Sequence, residues 1–162
     1  MQKSKVMFCL SLLSVVTLVS LLPEKCESAE FKKENFNYSE WTKGKFSEVV
    51  TVTNPGKMIF LAGIGAEDED GGKIVEQSSF VGQCDYAYVK IKKLLEKQGA
   101  TMNDVVRIVT YVSDIRDFQD ALKCRKSAFG DAPIPASTLI NVSQFAWPNM
   151  KIEIDVTAIL PN

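Results

Sequence analysis

Apolar residues recur three and four apart in two stretches of this chain, and each stretch stops at a glycine. From Ser78 to Gln98 the stripe runs Phe80, Cys84, Ala87, Tyr88, Ile91, Leu94 and Leu95, with Lys90, Lys92, Lys93, Glu96 and Lys97 mostly opposite. That spacing predicts an amphipathic helix ended by Gly99. Asp117 to Phe129 repeats it through Phe118, Ala121, Leu122, Cys124, Ala128 and Phe129 and ends at Gly130, which predicts a second, shorter helix. Between the two, Val105 to Val112 is a β-branched run of strand length, expected to be largely buried. Upstream, Phe46 to Thr53 is rich in β-branched residues, Asn54-Pro55-Gly56-Lys57 has the residues of a type II turn, and Met58 to Ala62 is apolar, a pattern that predicts a β-hairpin. Pro133 and Pro135 lead an extended connector into Ser137 to Val142, and Lys151 to Ile159 alternates Ile152, Ile154 and Val156 against Glu153, Asp155 and Thr157. These are two closing strands.

The order is β-β-α-β-α-β-β. Two helices with one apolar face each, alternating with strands, predict an α/β domain whose sheet is covered on one face by both helices. The other sheet face then needs a partner, and oligomerisation supplies one. Glu30 to Lys43 is polar with scattered aromatics and reads as an irregular arm, so residues 29–45 precede a domain at 46–162. Gly63 to Lys73 is glycine-rich and acidic, but lacks the alternating ligand spacing and terminal bidentate Glu of a calcium loop, and is expected to be a solvated loop.

The amino terminus is of a different kind. Met1 to Lys5 carries two lysines, Val6 to Leu22 is seventeen residues without a charge, and Pro23 opens a short polar stretch. This is the three-part layout of a secretory signal, with small side chains at Cys26 and Ser28 that place cleavage after Ser28, or after Ala29 as second choice. The alternative is an anchor retained in the membrane, for which seventeen apolar residues are short. A signal peptide at 1–28 makes the protein secreted, with no membrane contact after cleavage.

Composition narrows the chemistry. Removing residues 1–28 takes three of 19 basic and two of 20 acidic side chains, leaving 16 and 18 and a net charge of −2, which gives no electrostatic case for nucleic acid as a partner. The chain has no histidine, which excludes a Ser-His-Asp or Cys-His relay and every histidine-ligated metal site. Acid–base work then falls to carboxylates, Tyr, Lys or water. Cys9 and Cys26 leave with the signal, so an oxidising compartment permits one bridge, Cys84 to Cys124, with two buried free thiols as the alternative. Of the two Asn-x-Ser sequons, at Asn37 and Asn141, Asn37 near the mature terminus is the better glycan acceptor.

Six short segments, in order, carry a family resemblance: Phe60-Leu61-Ala62-Gly63, Lys97-Gln98-Gly99-Ala100, Asn103-Asp104-Val105-Val106, Val112 to Phe118, Pro135-Ala136-Ser137-Thr138, and Lys151 to Val156. From about Phe46 to Leu160 the chain resembles the RidA/YjgF (L-PSP) family of reactive-intermediate deaminases. The resemblance implies a chorismate-mutase-like α/β fold and a homotrimer with a small-molecule pocket at each subunit interface. It also implies cofactor-free hydrolysis of 2-imino acids to 2-keto acids and ammonia. In that family an arginine holds the substrate carboxylate, a glutamate positions water, and a tyrosine and a glycine amide line the pocket. By the same resemblance the glutamate is Glu153 and the glycine Gly63, while the arginine position is Ser137 and the tyrosine position Phe46. The pocket cysteine and asparagine match Leu139 and Leu122.

Replacing a charge-assisted, bidentate arginine contact by serine weakens carboxylate binding by at least about tenfold. Two readings therefore stand side by side. One is a secreted enamine or imine deaminase in which Glu153 activates water and Ser137 and Thr138 hydrogen-bond a substrate lacking a carboxylate. The other is a non-catalytic secreted trimer, a ligand carrier or interaction protein of the salivary, venom or host-directed kind. Ribonuclease activity, attached to some relatives, finds no histidine and no interleaving of aromatic and basic residues here. The discriminating feature is whether the pocket is open and polar around Ser137 and Glu153, or filled by Phe46, Leu122 and Leu139.

Overall fold

The computed structural model describes residues 30–162, so the expected signal peptide and its cleavage site lie outside the described residues. Six strands and two helices follow one another: β1 (Lys32–Phe36), β2 (Val49–Thr53), β3 (Met58–Ile64), α1 (Phe80–Lys97), β4 (Val105–Val112), α2 (Phe118–Phe129), β5 (Ala136–Asn141) and β6 (Ile152–Ile159). From β2 onward this is the β-β-α-β-α-β-β order that the hydrophobic pattern predicts.

Four strands form one sheet in the order β3-β6-β4-β5, with β4 and β5 parallel and the other pairs antiparallel. Alternation along β6 sends Ile152, Ile154, Val156 and Ala158 into a core shared with Ile108 and Val112 of β4 and with Ala87, Ile91 and Leu95 of α1. Ser79 caps α1 by accepting from the Gly82 N–H at 2.9 Å. At the other end Gly99, at φ +80°, lets the Ala100 N–H close back on Leu95 O. Cys84 of α1 and Cys124 of α2 are joined by a disulfide, with Cα atoms 6.5 Å apart, so the two helices are tied together on the core face.

Three expectations change. The segment 29–45, expected to be irregular, holds β1, and β2 pairs antiparallel with β1 rather than with β3. The predicted hairpin across Asn54 to Lys57 is therefore not formed. β3 is drawn instead to the long apolar strand β6, against which it buries Ile59 and Ile64. The backbone of β2 is left to be satisfied by the arm. The β1-β2 ribbon is anchored to the sheet by Ser47, which donates from both N and Oγ to Ile134 O, and by Lys33 Nζ, which donates to Val105 O at 2.9 Å.

The loop at 63–73 is also less solvated than expected. Lys90 of α1 reaches into it, donating to Glu67 O at 2.8 Å and pairing with the Glu67 carboxylate at 3.2 Å.

Candidate functional site

The sheet's two faces carry different chemistry. On β6, Glu153 alternates with the buried Ile152 and Ile154 and so projects from the face that the helices leave open. Gly63 of β3 lies directly beneath its carboxylate: a Cβ at Gly63 would sit 2.1 Å from Glu153 Oε1 and 2.6 Å from Cδ. A side chain at Gly63 would therefore displace the Glu153 carboxylate from this position. No donor among the described residues hydrogen-bonds the Glu153 carboxylate. Burial, then the neighbouring charges of Asp155 and Glu67, push its pKa above the ordinary carboxylate value. Glu153 lines an open cavity of about 310 Å³ together with Asp155, Tyr111, Val142, Gln144 and Phe145. Tyr111 donates its hydroxyl to Asp155 Oδ2 at 3.1 Å, and that bond raises the Tyr111 pKa. The result is an acid held by packing rather than by hydrogen bonds, a suitable state for accepting a proton from water.

The second group of expected residues gathers elsewhere. Ser137 of β5 pairs in register with the core residue Ile108 and faces α2, whereas its neighbour Thr138 is exposed beside Val109 on the opposite face. Ser137, Phe46, Leu122 and Leu139 surround a cavity of about 270 Å³ under α2, with Trp41 and Lys45 at its mouth. Thr138 takes no part in it, which corrects its placement beside Ser137, because side chains adjacent on a strand point to opposite faces. Phe46, Leu122 and Leu139 form walls and leave the space open.

Sequence reasoning missed the charged residue of this cavity. Arg125 of α2 is 6% exposed, and its Nη1 donates to Ser137 Oγ while Nη2 donates to Lys45 O at 2.7 Å. Its Nε is buried without a partner among the described residues. Burial lowers the Arg125 pKa, although a guanidinium in a protein keeps its charge. The signal lay in the spacing, since Arg125 is four residues after Ala121 and three after Leu122 and so falls within the apolar stripe of its helix.

Glu153 with Gly63, and Ser137 with Phe46, are thus separated by β4 and by the thickness of the sheet. They form two separate clusters among the described residues. At the sequons, Asn37 Nδ2 donates to Thr42 Oγ1 and to Phe46 O, both at 2.7 Å. A glycan on that nitrogen would displace at least one of these bonds. Asn141 Nδ2 is likewise engaged, donating to Val112 O at 2.8 Å.

Residues 39–160 match the family model described as endoribonuclease L-PSP. A RutC family protein of Pyrococcus abyssi is 31% identical over 115 residues, covering 71% of this chain and 86% of its own length. A 2-iminobutanoate/2-iminopropanoate deaminase of Dermatophagoides farinae is 25% identical over 118 residues, covering 72% and 87%. Among solved structures, the Rid-family protein YyfB of Yersinia pestis superposes with a TM-score of 0.72 at 26% identity, covering 80% of this chain and 98% of that one. With its strand order, its two helices and 122 residues under one family model, this chain belongs to the RidA/YjgF (L-PSP) family, which includes 2-iminobutanoate/2-iminopropanoate deaminases.

Proposed function

We propose that this protein is a secreted RidA-type deaminase with an altered ligand pocket, hydrolysing a small imine or enamine with Glu153 as the general base. The observation that carries this reading is the Glu153 carboxylate, seated on Gly63 and free of hydrogen-bond donors, with its pKa raised by burial. Water oxygen adds to the imine carbon as its proton passes to Glu153. Return of that proton to nitrogen gives the carbinolamine; Glu153 then takes the hydroxyl proton and passes it to the same nitrogen, so that ammonia leaves as the carbonyl forms, and no redox partner enters. The reading extends to a homotrimer, because the two partial sites of a protomer lie on opposite sheet faces and a complete site needs a second copy. Phe60 and Met58, 69% and 50% exposed on β3, supply apolar surface for that contact.

A non-catalytic ligand-binding trimer is the second reading, favoured by the apolar residues Phe46, Leu122 and Leu139 around Ser137. The test is imine hydrolysis, with 2-iminobutanoate generated by an amino-acid oxidase and trapped by semicarbazide, for the protein and its Glu153→Gln variant. Hydrolysis that Glu153→Gln lowers by at least about 100-fold supports the deaminase. Hydrolysis no faster than the uncatalysed rate in both, by folded protein, leaves the ligand-binding reading.

A further inference from the structure

We propose that the cavity under α2 is an anion site in which Arg125 and Ser137 bind the carboxylate of a small organic acid with an apolar tail. Arg125 is among the most buried charged side chains described, and no carboxylate among the described residues pairs with it. Its partners are neutral, the Ser137 hydroxyl and the Lys45 carbonyl, and one of its N–H groups has none. A buried guanidinium offset only by neutral acceptors is costly, and the missing partner is a negative charge.

The surroundings fit such a ligand. No acidic residue lines the cavity. A smaller adjoining cavity of about 200 Å³, which Arg125 also borders, is lined by Lys45, Lys126 and Lys123, the last paired with Asp120 at 3.0 Å outside the lining. Together these bring a positive field to one end of an otherwise apolar space. Ser137 Oγ accepts from Arg125, so its own proton is available to an incoming oxygen. Phe46, Leu122 and Leu139 offer a wall for an aliphatic tail and no hydrogen bond. The carboxylate contact thus comes from a helix, where the resemblance places it on the strand residue that is Ser137 here. As a statement about substrate this rests on the imine-hydrolysis reading, whereas the binding itself does not.

The experiment is calorimetric titration of the purified protein with hexanoate, hexanamide and acetate. Hexanoate is expected to bind at least about tenfold more tightly than hexanamide, which lacks the charge, and more tightly than acetate, which lacks the tail. Arg125→Met is expected to weaken hexanoate by at least about tenfold and to leave hexanamide within about twofold. Should that variant fail to fold by circular dichroism, Ser137→Ala takes its place, with a severalfold loss for hexanoate alone. Equal affinity for acid and amide in the unmodified protein, or unchanged hexanoate binding in a folded Arg125→Met variant, overturns the proposal. Glu153→Gln separates the two claims. Arg125-dependent hexanoate binding with turnover indifferent to Glu153→Gln sinks the hydrolysis and keeps the anion site. Turnover that requires Glu153, with acid and amide bound alike, does the reverse.

Discussion

Glu153 binds its proton more tightly in the folded chain than in the unfolded one, because burial and the charges of Asp155 and Glu67 disfavour its anion. Two consequences follow for pH. As a base it works only when ionised, so the acidic limb of kcat/KM is expected above the ordinary carboxylate value of 4.5, and a limb at or below that value contradicts the assignment. For stability, the folded state holds more protons than the unfolded state between 4.5 and the raised value, so Glu153's contribution falls as pH rises through that window. Denaturant melts of Glu153→Gln are expected to lose this part of the slope. Gly63→Ala pushes the Glu153 carboxylate, the far end of a flexible side chain, out of its place, and is expected to lower the activity with little loss of stability, read by the imine assay and urea unfolding. At this scale Glu153 and Gly63 were legible because short motifs carried them. Thr138 was misplaced because a motif has no faces, and Arg125 was overlooked because its charge disguised a position within the buried stripe.

The secondary-structure elements were the most legible feature, and the strongest periodicities gave the closest boundaries. The helix expected at 78–98 is α1 at 80–97, and the one at 117–129 is α2 at 118–129. Pairing was harder to read. The turn residues at Asn54 to Lys57 connect β2 to β3 in sequence, but hydrogen-bond partners are chosen by burial. β6 could offer β3 a longer apolar face than β2 could, and the polar arm then completed β2 as β1. Between the helices, the Cys84–Cys124 disulfide closes a loop with a sequence separation of 40. Its reduction is expected to cost about 2–4 kcal/mol by loop entropy. The protein lacking residues 1–28, denatured without reductant, is expected to show no free thiol on titration, and two free thiols would contradict the bridge. Because Cys124 neighbours Arg125 on α2, reduction is also expected to loosen hexanoate binding.

For the whole molecule, the exposed face of the β3-β6-β4-β5 sheet was foreseeable from two helices that cover only one side. That further copies cover the other side was an expectation drawn from this unpartnered face and from the family resemblance, since a second copy leaves no mark in the spacing of a single chain. Phe60→Glu places a charge where the proposed contact needs apolar surface, and light scattering is expected to show a trimer become a monomer with its hydrolysis lost. A monomeric variant with full activity would mean that one protomer holds a complete site. The most direct measurement is subunit complementation. Glu153→Gln and Arg125→Met chains, the first lacking the base and the second weakened in carboxylate binding, are co-refolded in equal amounts and assayed for imine hydrolysis at substrate too dilute to saturate the second. If Glu153 of one copy acts beside Arg125 of another, statistical mixing restores about a quarter of the unmodified activity. Mixed trimers that remain inactive would contradict a site shared between copies.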